Sequence, residues 1–315
     1  MIDAEVEREF RLKDGRLISF REYGAANGRV VLALHGTPGS RLKYRIAHEA
    51  AAARGMRIVA PDRWGYGLSQ PPQMPSLRLY SQDISELMRA LGHDVFSVFG
   101  ISGGGPFAAA LAAELPTKVC KLALVAPVGQ ISRRCFSNQD IYAENPLRPF
   151  HRFCFLGLPR IPGATRVIFW LYRLAMLHAP ASAVKIALLR SSVPDKRAML
   201  SAKIRRSLGQ TFAAGLQHGV SGPVIDLNLF TTDWDFATDA ICCDTRVWIG
   251  EDDLNVPIGG VLALARDIPG SSLSFIPGQG HFWISENFGD VLDWLACKKE
   301  EELNRAHRLA LPDSP

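Results

Sequence analysis

No stretch of this 315-residue chain is apolar for long enough to act as an export signal or a membrane anchor. Met1 to Phe20 alternates charged and apolar residues and has no uninterrupted hydrophobic region, so a cytoplasmic protein is expected. The most apolar stretch, Val167 to Leu177, is broken by Arg173, is followed by Pro180, and falls short of the roughly 20 residues a bilayer crossing requires. It reads as a helix for a protein groove or a membrane surface. The six cysteines, Cys120, Cys135, Cys154, Cys242, Cys243 and Cys297, show neither C-x-x-C spacing nor a zinc-type Cys/His cluster, and are expected to be reduced, buried thiols. No metal or other cofactor is expected. The net charge of +5 is spread along the chain, and the densest basic patch, Lys203 to Arg206, is short and amphipathic, so nucleic acid is not an expected partner. No P-loop motif and no internal repeat is present.

What is there is ample core material: 47% of the residues are hydrophobic, enough for one large α/β domain or two smaller ones. Short β-rich runs alternate with helical segments, the pattern of a mostly parallel sheet covered on both faces. Strands are expected at Leu17 to Tyr23, Val30 to Leu34, Met56 to Ala60, Val95 to Gly100, Lys121 to Val125, Arg246 to Ile249 and Leu273 to Ile276. Helices are expected at Tyr44 to Arg54, Leu77 to Leu91, Pro106 to Glu114 and Gly259 to Ala265. The alternation stops near Val128 and resumes near Trp234. Residues 129–233 between them have helical periodicity, several prolines and many large apolar side chains, the composition of an inserted helical cap between core segments 1–128 and 234–297. The charged tail, 298–315, is expected to be a frayed helix ending in disorder.

Gly100-Ile101-Ser102-Gly103-Gly104 lies where the strand ending at Gly100 turns abruptly into an Ala-rich helix. A serine at such an elbow is held in a strained backbone with small neighbours on both sides, which makes Ser102 the candidate nucleophile. A serine hydroxyl is a poor nucleophile near neutral pH and needs an imidazole oriented by a carboxylate. In parallel α/β sheets the reacting groups gather at the carboxyl ends of strands. His281, in Pro277-Gly278-Gln279-Gly280-His281-Phe282, follows the last strand. Asp253, in Gly250-Glu251-Asp252-Asp253, follows the strand Arg246 to Ile249. His35 also follows a strand, but in a turn suited to aiming backbone donors. His48, His93, His151, His178, His218 and His307 are expected to be surface or core residues. In His35-Gly36-Thr37-Pro38-Gly39, Pro38 has no N–H, which leaves the Thr37 amide to point inward. With the Gly103 amide at the start of a helix it would form an oxyanion hole, each donor worth about 3 to 4 kcal/mol of transition-state stabilisation.

Together these residues resemble the α/β-hydrolase fold family over about two-thirds of the chain. His35-Gly36-Thr37-Pro38-Gly39 is similar to its oxyanion loop, Pro61-Asp62-Arg63-Trp64-Gly65-Tyr66-Gly67-Leu68-Ser69 to its D-R-x-G-x-G-x-S loop, and Gly100 to Gly104 to its elbow. Gly250-x-x-Asp253-x-x-Val256-Pro257 is similar to its acid loop and Gly280-His281-Phe282 to its histidine loop. The resemblance implies Ser102 as nucleophile, His281 as base and then acid, Asp253 as orienting acid, and Thr37 with Gly103 as oxyanion donors. Asp252 is the rival acid, and the spacing to Val256-Pro257 favours Asp253. The resemblance also implies an eight-stranded sheet, with the missing strand around Glu9 to Leu12. Asp62 and Arg63 are expected to hold their loop rather than touch substrate. Serine at the elbow, where related epoxide hydrolases and haloalkane dehalogenases carry aspartate, implies acyl transfer through a serine ester.

The insert is expected to sit over the carboxyl edge of the sheet. Phe153, Phe155, Ile168, Phe169, Trp170, Leu171 and Tyr172 make it apolar; much of it is expected to be core between cap and sheet, and the fraction that faces the pocket favours an apolar acyl or aromatic group. No Arg or Lys near the elbow is positioned by the sequence to clamp a phosphate. The expected function is a carboxylic-ester hydrolase acting on small apolar esters. The alternatives are other chemistry of the same three residues (a C–C bond hydrolase, a lactonase or an amidase) and a non-catalytic binding protein of this fold.

Overall fold

The computed structural model describes residues 2–4, 6–131, 145, 147–161, 163–189 and 191–296. The apolar runs become strands β1 (Arg8–Arg11), β2 (Leu17–Gly24), β3 (Arg29–Leu34), β4 (Met56–Pro61), β5 (Phe96–Ile101), β6 (Val119–Val125), β7 (Asp244–Gly250) and β8 (Ser272–Ile276). They form one sheet in the order β1-β2-β4-β3-β5-β6-β7-β8. β1 and β2 run antiparallel, as do β2 and β4, and every other neighbouring pair is parallel. Seven strands fall where the apolar runs predict. The eighth, β1, has the sequence Arg-Glu-Phe-Arg, and only Phe10 packs on the core, so it carries almost no hydrophobic signal.

Side chains alternate across the central strands, as the two-residue period of a strand dictates. Leu32 and Leu34, Val98, Leu122 and Leu124, and Val247 and Ile249 enter one core layer with helices α2 (Leu77–Ala90) and α3 (Gly105–Glu114). Val31 and Ala33, Phe99, Ala123 and Val125, and Trp248 enter the other layer.

The predicted helix at Tyr44 to Arg54 divides into a 3-10 turn, Arg41–Ala47, capped by Ser40, and helix α1 (His48–Ala53), which covers that second face. Between β6 and β7 lie α4 (Ala164–His178), α5 (Pro180–Leu188), α6 (Val193–Ala198), α7 (Ala202–Leu216) and α8 (Ser221–Thr231). α9 (Ile258–Asp267) follows β7 on the α2/α3 face. The chain then reaches α10 (Phe288–Leu295), which the sequence reading missed although Phe288, Val291, Leu292 and Leu295 repeat at i, i+3, i+4 and i+7 and all pack beside α1.

Two expectations about side chains are corrected. Cys120, Cys154 and Cys243 are half-buried and Cys242 is exposed, so none of these four is a fully buried thiol. Sulfur alone does not decide placement: Cys242 and Cys243 lie in the loop that enters β7, at its solvent-exposed beginning. Val167, Ile168, Trp170 and Leu171 are exposed on α4, and Phe153 is exposed before it, while Phe155, Phe169 and Tyr172 line the internal cavity. Among the described residues no helix is long and apolar enough to cross a membrane. Cys135, Cys297, His307 and the tail 298–315 lie outside the described residues.

Candidate active site

β3, β5, β7 and β8 present their carboxyl ends along one edge of the sheet, and each candidate residue follows one of them. The β3–β5 register pairs Leu34 with Gly100, so the next two residues of each strand bring Gly36 alongside Ser102. A methyl group at Gly36 would lie 3.2 Å from Ser102 Cβ. Ser102 itself has φ of 53°, in the left-handed region that L residues avoid. The chain turns there from β5 into a 3-10 turn, Ser102–Gly104, and then into α3. Gly104 is required at that crossing, because a Cβ on it would collide with the Leu34 carbonyl oxygen of the neighbouring strand.

His281 and Asp253 meet across the β7 and β8 loops. His281 Nδ1 donates to Asp253 Oδ2 at 2.7 Å, and Asp253 Oδ1 accepts from the amides of Asn255 at 2.7 Å and Val256 at 3.2 Å. A carboxylate only accepts, so the proton sits on Nδ1 and leaves Nε2 for the cavity. Burial disfavours the imidazolium, but the charge and hydrogen bond of Asp253, with Asp195 behind it, hold the His281 pKa above the usual histidine value against opposition from Lys43. Asp252, the rival acid, is exposed. Ser102 and His281 line one cavity of about 280 Å³. Among the described residues no hydrogen bond joins the serine hydroxyl to the imidazole.

Thr37 lies against Gly103, where any Cβ would collide with the threonine hydroxyl. The two predicted oxyanion donors are therefore neighbours, and Gly36, Thr37, Pro38 and Gly39 all line the cavity. His35 braces this loop. Its Nε2 accepts from the Arg63 amide at 3.0 Å and its Nδ1 donates to the Gly36 carbonyl at 2.9 Å. Burial, reinforced by the Arg63 charge, pushes its pKa well below the ordinary value and keeps the ring neutral.

Neither Asp62 nor Arg63 lines the cavity. Asp62 accepts from Ser19 Oγ at 2.8 Å and from the Arg41 amide at 2.7 Å, and it pairs with the Arg41 guanidinium. Arg63 is buried with Asp226 of α8 in a two-pronged ion pair, with Nη2 to Oδ2 at 2.8 Å. The same Nη2 reaches Thr37 Oγ1 at 3.1 Å, Tyr66 donates to Asp226 at 2.6 Å, and Thr37 Oγ1 donates to Asp226 as well. A second acid from the same inter-strand segment, Asp195 of α6, accepts from the Phe282 amide at 2.8 Å, directly beside His281. His151 Nε2 reaches the carbonyl of Leu254 in the acid loop at 3.1 Å.

The sequence reading missed Asp195 and Asp226. Asp226 stood out as a lone acid in Val224-Ile225-Asp226-Leu227, and a buried carboxylate needs a cation, which Arg63 supplies. Lys43 was also missed. It follows the oxyanion loop and lines the cavity.

The profile of the alpha/beta hydrolase fold matches residues 29–148. A bromoperoxidase structure from Bacillus anthracis superposes with a TM-score of 0.67 over 92% of this chain and 99% of that one, at 18% identity. The chain has the α/β-hydrolase fold. It is 28% identical over 283 residues to a 2-hydroxymuconate semialdehyde hydrolase of Pseudomonas putida, which covers 88% of each chain. It is 30% identical over 142 residues to a non-heme chloroperoxidase of Streptomyces lividans and 28% identical over 113 residues to an uncharacterised hydrolase of Saccharomyces cerevisiae. Those matches take in 44% and 35% of this chain and span 50% and 39% of the two relatives' lengths.

Proposed function

We propose that the protein is a serine hydrolase of carboxylic esters with an apolar acyl or aromatic group. The observation that carries this reading is the His281–Asp253 pair opening onto the same cavity as a serine held at positive φ on a strand-to-helix elbow. Ser102 Oγ attacks the ester carbonyl while His281 Nε2 takes its proton, and the amides of Thr37 and Gly103 receive the developing oxyanion. The carbonyl reforms as the alcohol leaves with the proton from His281. Water, deprotonated by the same nitrogen, then attacks the acyl-enzyme, and the acid departs as Ser102 regains its proton. Asp253 keeps the imidazole in the required tautomer and stabilises its charged form.

Residues 129–233 act in this reading as a cap over the core segments 1–128 and 234–297. Its support is the set of cap side chains in the cavity wall, among them Phe155, Phe169, Tyr172, Leu208, Phe212 and Phe230, which shield the acyl-enzyme from bulk water. A second reading keeps the three residues and changes the bond cleaved. It is supported by the similarity to a 2-hydroxymuconate semialdehyde hydrolase along 88% of both chains.

The test is a panel of 4-nitrophenyl esters from short to long acyl chains, with Ser102→Ala as control and a fluorophosphonate probe for the serine. Turnover and labelling, both lost in Ser102→Ala, are expected. A folded protein that resists the probe and hydrolyses no ester would overturn the reading.

A further inference from the structure

Lys43 lines the cavity and has no carboxylate partner among the described residues. It is 7% exposed, and among those residues its ammonium has one hydrogen bond, to Ser285 Oγ at 3.2 Å. Its other close neighbour is a ring face, Phe288, with the centroid 5.8 Å away. An ammonium offers three donors, so two remain. The acids nearby are committed elsewhere: Asp253 to His281 and two amides, and Asp195 to the Phe282 amide and Ser192. Two further buried polar atoms of the cavity wall, Thr211 Oγ1 and Asn255 Nδ2, have no partner. Thr211 sits on α7, which packs directly on the 3-10 turn that carries Lys43.

A buried cation and buried donors without partners are unfavourable for folding, and they persist where a ligand satisfies them. Burial without compensation also lowers the Lys43 pKa to about 8, and a bound anion reverses that effect. The rest of the wall is largely aromatic and aliphatic, so the complementary ligand has an apolar body and one anionic end. A single ammonium matches a monoanion, whereas a phosphate would bring nearly two charges to it.

We propose that Lys43, assisted by Thr211, forms a carboxylate subsite, and that the substrate is an ester bearing a free carboxylate on its acyl or alcohol part. This deepens the serine-hydrolase reading and rests on it for the reaction, while the binding of the carboxylate is separately measurable.

Two matched substrate pairs test the proposal: mono-4-nitrophenyl glutarate against 4-nitrophenyl pentanoate, and 4-acetoxybenzoate against phenyl acetate. In at least one pair the wild type is expected to favour the carboxylate ester in kcat/KM by about tenfold or more, and Lys43→Met is expected to abolish that ratio while Lys43→Arg retains part of it. Glutarate binding to the Ser102→Ala protein, followed by calorimetry, is expected to weaken about tenfold or more with Lys43→Met and several-fold with Thr211→Val. Inorganic phosphate is expected to bind more weakly than glutarate. A thermal melt of Lys43→Met at or above the wild-type Tm establishes that the variant folds.

Lys43-dependent glutarate binding without turnover of any ester would keep the subsite and sink the hydrolase reading. Ester turnover with no discrimination in either pair, or discrimination unchanged by Lys43→Met, would sink the subsite and keep the hydrolase. Tighter binding of phosphate than glutarate would also overturn the carboxylate assignment.

Discussion

Ser102 holds φ at 53° because β5 must turn into α3 within three residues while presenting the hydroxyl at the sheet edge. A non-glycine residue in that region costs on the order of 1 to 3 kcal/mol. Ser102→Gly is therefore expected to be inactive yet more stable than Ser102→Ala by about 1 kcal/mol, read by urea unfolding. Asp253→Asn removes the acceptor that sets the imidazole tautomer and is expected to lower kcat about a thousandfold or more, whereas exposed Asp252→Asn is expected to change it little. The reverse order, in steady-state kinetics, would reassign the acid.

The pH dependence follows from the raised His281 pKa. In the proposed reaction His281 must be neutral to accept the serine proton, so the acid limb of kcat/KM is expected above the ordinary histidine value of 6.5, and it moves down in Asp253→Asn. The groups that set it are Asp253 and Asp195, which favour the imidazolium, and Lys43, which opposes it. For stability the sign is opposite. A raised folded pKa contributes stability that is complete below 6.5 and is lost as pH rises through the folded value.

At the scale of elements, helices from the segment between β6 and β7 are pinned to the loops of the candidate site by charge as well as by apolar packing. α8 delivers Asp226 to Arg63, Tyr66 and Thr37, and α6 delivers Asp195 to the loop of His281. Asp226→Leu leaves the Arg63 guanidinium buried without its partner and is expected to cost about 3 to 5 kcal/mol in chemical unfolding. Adding Arg63→Met is expected to recover most of that loss, because an apolar pair of similar volume escapes the desolvation cost. If the double variant is as unstable as the single one, the ion pair is not the source of the loss.

These pins explain a gap between sequence and structure. Composition marks residues 129–233 as helical and apolar, and the hydrophobic period locates β3, β5 and α2 within about a residue at each end. Neither signal tells which acid meets which base across 163 positions, the separation of Arg63 and Asp226. β1 escaped periodicity for a related reason: an edge strand that alternates Arg, Glu, Phe and Arg buries too little to leave a pattern.

Over the whole molecule, the cavity joins residues from the loops after β3, β5, β7 and β8 with side chains of α4, α5, α7 and α8. That the loops carrying Ser102, Asp253 and His281 meet at one edge was readable in advance, because strand-end loops of a parallel sheet converge there wherever the strands fall, and short motifs announce those loops. Strand order, helix covering and the elbow are local or periodic properties, carried by neighbours in the chain. Lys43 was not readable, since a lysine in the turn Arg41–Ala47 is, from the chain alone, one more surface cation. Its enclosure by Ser285, Phe288 and α7 depends on packing between segments up to 242 positions apart. Burial and ion pairing are properties of that packing. The linear order therefore names the loops of the candidate site, while the folded arrangement selects which charges are buried beside it.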